Sequence, residues 1–178
     1  MEYHRSMSSK HTTNPTTSKL VLRRVAIRHS FRAAYAPEGV ADFIDSTDYP
    51  HKDMLRRTMS GLFDNQITRA ARPEWWLVTQ NAKIVGLALV AYGELNGEIG
   101  VSVGVEHLLV AQGHRNKGVG SKIIRGLQSL ARKEDGLAAV NLESEQELIP
   151  YYRRFGFVER SWQGYGNRFV KLIWRKSD

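Results

Sequence analysis

Leu108-Leu-Val-Ala-Gln-Gly-His-Arg-Asn-Lys-Gly-Val-Gly-Ser-Lys-Ile-Ile124 decides how this chain is read. An apolar run ends at Val110. Arg115 and Lys117 follow, and then Gly118 and Gly120 open a segment whose apolar residues recur at helical spacing. Val119, Ile123, Ile124, Leu127, Leu130 and Ala131 share one face, which predicts a strand, a loop and an amphipathic helix over 118–133. A helix N-terminus carries unpaired amides and a partial positive charge. Two glycines let an anion come close to that backbone, and two cations add full charge. The stretch therefore reads as a phosphate cradle. A Walker A loop needs Lys directly after its last glycine, but Val119 follows Gly118. A dinucleotide fingerprint needs a further glycine three residues after Gly120, and Ile123 stands there.

Outward from this stretch the chain reads as mixed α/β. Leu20–Ile27, Trp75–Thr79, Ile84–Tyr92, Ile99–Val110, Leu137–Leu142 and Phe169–Trp174 read as strands. Helices are expected over Ser30–Ala34, Val40–Asp45, Lys52–Phe63 and Glu147–Phe155, the last closed by Gly156. Asn81–Ala82 and Asn96–Gly97 are turn signals. Residues 1–18 are polar, with almost nothing to bury, and read as a disordered tail ahead of one domain over 19–178.

The 178 residues carry a formal net charge of +8 and no cysteine. Disulfides, thiolate metal sites and a cysteine nucleophile are therefore excluded, and no His, Asp or Glu spacing suggests a metal site. No apolar run approaches the roughly 20 residues that span a bilayer. The first residues lack the apolar segment of a secretory signal, so a soluble cytoplasmic protein is expected. The basic surplus favours an anionic ligand. With no long basic run, nucleic acid is not the expected partner, and like-charge repulsion argues mildly for an acidic or neutral acceptor.

The pattern Arg115-x-x-Gly118-x-Gly120 resembles the acetyl-CoA signature of the GNAT N-acetyltransferase superfamily. So does Pro150-Tyr-Tyr-Arg-Arg-Phe-Gly-Phe157, which is similar to the phrase that closes that fold. The resemblance covers roughly Leu20 to Trp174 and is specific over Glu106 to Phe157. It implies a central mixed, mostly antiparallel twisted sheet with flanking helices. In that sheet two parallel strands, 99–110 and 137–143, splay apart. Acetyl-CoA is the implied cosubstrate. Its pantetheine arm would pair with Leu108, Leu109 and Val110, and its diphosphate would lie on Arg115, Asn116, Lys117, Gly118, Val119, Gly120 and Ser121.

The implied chemistry is direct attack by a primary amine, from a small molecule or a peptide, on the thioester in a ternary complex. A backbone amide near Leu109 would stabilise the oxyanion. Tyr152 stands where the family carries the proton donor to the leaving thiolate, with Tyr151 read as core. Glu143, Glu106 or a water would serve as base. Many family members hold the cofactor with an Asn near 145 or 146, where Glu145 and Gln146 stand here. Strand alternation sends His107 to the face opposite Glu106, and His114 reads as a loop residue. Trp75 and Trp76, Trp162 and Tyr165, and Phe31 and Tyr35 with the helices over 40–63 are weaker candidates for the acceptor site. Family members often pair, so the resemblance makes a homodimer an open expectation. Two other readings stay open on the residues alone: a non-catalytic acyl-CoA-binding sensor on the same fold, and a basic nucleic-acid-binding module.

Overall fold

The computed structural model describes residues 18–26, 36–59, 72–94, 101–160 and 169–177. The expected helix at 30–34, the end of the one at 52–63, the Asn96–Gly97 turn, and Phe31, Tyr35, Trp162 and Tyr165 lie outside them. So do nearly all residues of the expected tail. Among the described residues no helix is long and apolar enough to cross a membrane.

Among the described residues seven strands form one mixed sheet: β1 (Val21–Ala26), β2 (Arg72–Gln80), β3 (Lys83–Glu94), β4 (Val101–Val110), β5 (Leu137–Glu145), β6 (Val158–Arg160) and β7 (Phe169–Arg175). Their spatial order is β1-β2-β3-β4-β5-β7-β6, and every neighbouring pair is antiparallel except β4 and β5. The helices among the described residues are α1 (Val40–Ser46), α2 (Lys52–Met59), α3 (Val119–Lys133) and α4 (Ile149–Arg153).

β2 begins three residues earlier than the sequence suggests and takes in Pro73. Among the described residues β1 pairs with β2 as far as Ala26↔Glu74, and Pro73 pairs opposite Ala91 of β3. β6 has three residues, too few to show alternation, and was not legible. The expected helix over 147–155 is a 3₁₀ turn (Gln146–Leu148) followed by α4, with Pro150 in the first turn, where its absent donor is harmless.

Two apolar layers cover the sheet. On one side α3 buries the face its spacing predicts, with Ile123, Ile124 and Leu127 packed against Val90, Val103, Val105 and Val140. Gly126 permits close contact there, because a Cβ would lie 2.5 Å from Leu22 Cδ2 and 2.9 Å from Trp76 Cζ3. On the other side Val40, Ile44 and Leu55 of α1 and α2 cover Trp75, Leu87, Leu89 and Leu109. Trp75 and Trp76 are thus core anchors, one for each layer, and neither reaches the cavity described below.

Candidate active site

β4 and β5 pair only from Val101↔Leu137 to Val105↔Leu142. Beyond that point β4 stays on β3 as far as Val110, and β5 stays on β7 as far as Glu145. The facing edges after Val105 and Leu142 therefore lack ladder partners, although buried backbone groups demand hydrogen bonds. The parting has a local cause in β4. Leu89 pairs with His107 and Val90 with Val105, so Glu106 is an extra residue, a β-bulge. Bulges bend their strand and re-aim side chains.

The bulge corrects one expectation. Alternation along β4 would set Glu106 and His107 on opposite faces. Instead a Cβ on Gly104 would lie 3.2 Å from Glu106 Oε1 and 3.5 Å from Asn141 Oδ1, which puts the carboxylate on the face away from Val103 and Val105. His107 shares the side of Leu109 and accompanies it toward the layer under α1 and α2. Both side chains consequently serve one face. There the Tyr49 hydroxyl, from the α1–α2 connection, lies 2.7 Å from His107 Nδ1. Burial, then the charge of His51, lowers the His107 pKa to about 4. Burial, then the charge of Glu145, raises that of Tyr49 to about 12. Both groups are neutral at pH 7.

A cavity of about 910 Å³ opens at the fork. Its walls are the α1–α2 connection, the splayed ends of β4 and β5, the loop before α3 with the first turn of that helix, and α4. Of the residues expected to bind the cofactor, Leu108, Leu109, Val110, Arg115, Asn116, Gly118, Val119, Gly120 and Ser121 all line it. Lys117 is exposed and does not. Leu109 buries its side chain in the α1–α2 layer, so its backbone is what it offers.

The first turn of α3 suits an anion. Gly118 caps it at φ 82°, with no side-chain cap hydrogen bond, and a Cβ there would meet nothing within 4 Å. Asn116 is also left-handed, at φ 59°. The uncapped amides of this turn and the unpaired edge of β4 are what a diphosphate with an amide-bearing arm would use.

The three expected catalytic side chains also meet at this cavity. Glu106 keeps surface open to it, yet protein crowds its carboxyl. That burial, and then the Glu143 charge, raises its pKa, while Lys171 opposes the rise. Glu143 is exposed on β5, paired opposite Lys171 on β7. Tyr152 is 7% exposed and packs edge-on against Phe157 and Tyr151. Burial raises its hydroxyl pKa further above neutrality, so it holds its proton. Tyr151, expected in the core, is half-buried and packs against the layer under α3; burial raises its hydroxyl pKa, and the nearby Ser121 side chain opposes the rise.

Sequence reasoning brought the helices over 40–63 to the acceptor side but singled out no residue of the α1–α2 connection. Asp48, Tyr49 and His51 line the cavity, and Asp48 is ion-paired with Arg115. That hydrogen bond from Arg115 is the main reason the Asp48 pKa is lowered. Of the residues at the doubtful Asn position, Glu145 lines the cavity and Gln146 does not. Among the described residues no group of three His, Asp or Glu side chains could hold a metal ion.

A search of curated proteins gave no match. Among solved structures, the chain is similar to Arabidopsis thaliana NAA60 in complex with a bisubstrate analogue (TM-score 0.59, 15% identity, 87% of this chain and 95% of that one). It is similar to Escherichia coli ElaA (TM-score 0.58, 12% identity, 89% and 100%). A third likeness is to a chain of the NatC complex bound to Gag peptide and CoA (TM-score 0.57, 18% identity, 89% and 99%). At these identities the likeness establishes the fold. The family model for the acetyltransferase (GNAT) domain matches residues 31–173, so the chain belongs to the GNAT acetyltransferase family.

Proposed function

We propose that this protein is an acetyl-CoA-dependent N-acetyltransferase that acts on a primary amine. The observation that carries this reading is the continuity of the cavity. One space joins the uncapped first turn of α3, the unpaired edge of β4 and the carboxylates at the fork. Acetyl-CoA, when bound, supplies a thioester.

The protein's own groups then divide the work. The amides at Gly118 to Ser121 hold the diphosphate, and the backbone of Leu108 to Val110 pairs with the pantetheine amides. An alkylamine arrives mostly protonated, and a carboxylate at the fork takes its proton. The free nitrogen attacks the thioester carbonyl carbon while a backbone N–H near Leu109 donates to the carbonyl oxygen. The carbon–sulfur bond then breaks, the thiolate takes the Tyr152 hydroxyl proton, and the nitrogen gives up its second proton to the Tyr152 oxygen, which restores the tyrosine. The products are the acetylated amine and free CoA.

Glu106 suits the base better than Glu143. It stands in the bulge where the strands part, and its raised pKa brings it closer to the working pH. Two of the similar structures hold a bisubstrate analogue or a peptide with CoA. A peptide α-amine is therefore the first acceptor to try. The test is thiol release from acetyl-CoA across peptide N-termini, polyamines and small amines, with Gly118→Trp as the blocked control. Amine-dependent release that the tryptophan abolishes supports the reading. Acetyl-CoA binding with no release on any amine overturns it.

A further inference from the structure

We propose that Arg154, braced by Tyr151, is the side-chain cation that meets the cofactor's diphosphate, a place the sequence motif gives to Arg115. The proposal rests on the diphosphate reading of the cradle.

The two cations expected there are poorly placed for the task. Arg115 is tied to Asp48, and Lys117 is outside the cavity wall. Arg154 lines the cavity and makes no ion pair among the described residues. Its guanidinium carbon lies 5.0 Å from the centre of the Tyr151 ring, and its Nε is 3.5 Å from the Tyr151 carbonyl oxygen. Stacking on an aromatic face leaves the edge of the guanidinium fork for a bidentate anion.

Tyr151 in turn reaches α3. Its hydroxyl lies against the start of that helix, where a Cβ on Gly120 would be only 2.7 Å from the oxygen. The side chain therefore bridges α4 to the first helical turn and holds Arg154 beside it. The absence of a side chain at Gly120 also gains a second reason. It makes room for the tyrosine as well as for an anion. The cradle then has two halves on different elements, amides from α3 and a guanidinium from α4.

Titration calorimetry on the full chain separates the possibilities, using acetyl-CoA, acetyl-3′-dephospho-CoA and S-acetylpantetheine. A charge-assisted contact predicts that Arg154→Gln weakens both nucleotide ligands by about tenfold or more. S-acetylpantetheine, which has no phosphate, should bind unchanged. Arg154→Lys should restore part of the loss, Tyr151→Leu should reproduce it, and Arg115→Gln should change affinity less than Arg154→Gln. Equal weakening of S-acetylpantetheine means a merely structural role and overturns the proposal. A loss confined to the ligand with the 3′-phosphate also overturns it, by moving the contact to that group. Failure of the unaltered chain to bind acetyl-CoA overturns the cradle reading itself.

Discussion

The Tyr49 hydroxyl stands 2.7 Å from His107 Nδ1, joining the α1–α2 connection to β4 immediately after its bulge. His107 is buried, and its pKa is lowered to about 4 from an ordinary 6.5. Protonation therefore favours the unfolded chain. The stability this histidine contributes is complete above pH 6.5 and is lost as pH falls toward 4, up to about 3 kcal/mol in all. Urea unfolding of the protein and of His107→Asn between pH 7.5 and 4.5 checks this. The parent should lose stability with falling pH more steeply than the variant. Parallel curves would rule out a buried neutral histidine.

Glu106 sets a second pH dependence, in the rate. A base must be deprotonated to act, so kcat/KM should fall as pH drops through a value above the usual carboxylate range. Glu106→Gln should lower kcat/KM by roughly 10²–10⁴-fold. Glu143→Gln removes a neighbouring negative charge that raises the Glu106 pKa, and so should move the acid limb to lower pH while the enzyme remains active. A limb that stays in place in Glu143→Gln would show that the two carboxylates are not coupled.

The contrast between Gly118 and Tyr49 shows what the sequence discloses. Gly118, Gly120 and the periodic face of α3 lie within one short segment. Helix, cap and cradle are local physics there, and the reading needed no knowledge of distant contacts. The bulge at Glu106 is different. It is a mismatch in register between two strands, and β4 alone still alternates well enough to send His107 the wrong way. Tyr49 and Asp48 reach the site from nearly sixty residues up the chain, in a connection with no motif. Only the packing of α1 and α2 on the sheet brings them there. Tyr151 packs against the core, as its apolar neighbours suggest, but the approach of its hydroxyl to Gly120 is a contact between distant segments that neighbouring residues do not encode.

Tyr152 invites a test that separates chemistry from binding. Its ring packs against Phe157 and Tyr151, and Phe preserves that shape. Tyr152→Phe should therefore fold normally and bind acetyl-CoA as before, while kcat drops by about 10²-fold through loss of the proton donor. Thioesters with more acidic leaving thiols need that proton less, so the deficit should shrink with them. A deficit that appears in KM and leaves kcat intact would remove Tyr152 from the chemistry.

Ala82 offers a test of the scaffold alone. Gln80 pairs with Lys83, so Asn81 and Ala82 form a two-residue hairpin turn, with φ of 51° and 61°. Such turns require the left-handed region at both positions. Asn tolerates it, whereas Ala meets a clash between its Cβ and the backbone worth about 1 kcal/mol. Ala82→Gly removes the clash but gives the unfolded chain more freedom, which offsets part of the gain. The net expectation is a stabilisation of about 0.5 kcal/mol, read as a higher denaturant midpoint with an unchanged slope. Ala82→Val should fall on the other side of the parent, because a β-branched residue fits that region worse still. The turn does not line the cavity, so both variants should keep the parent's affinity for acetyl-CoA. If Ala82→Gly is instead the less stable of the two, the register of β2 on β3 at this turn is wrong.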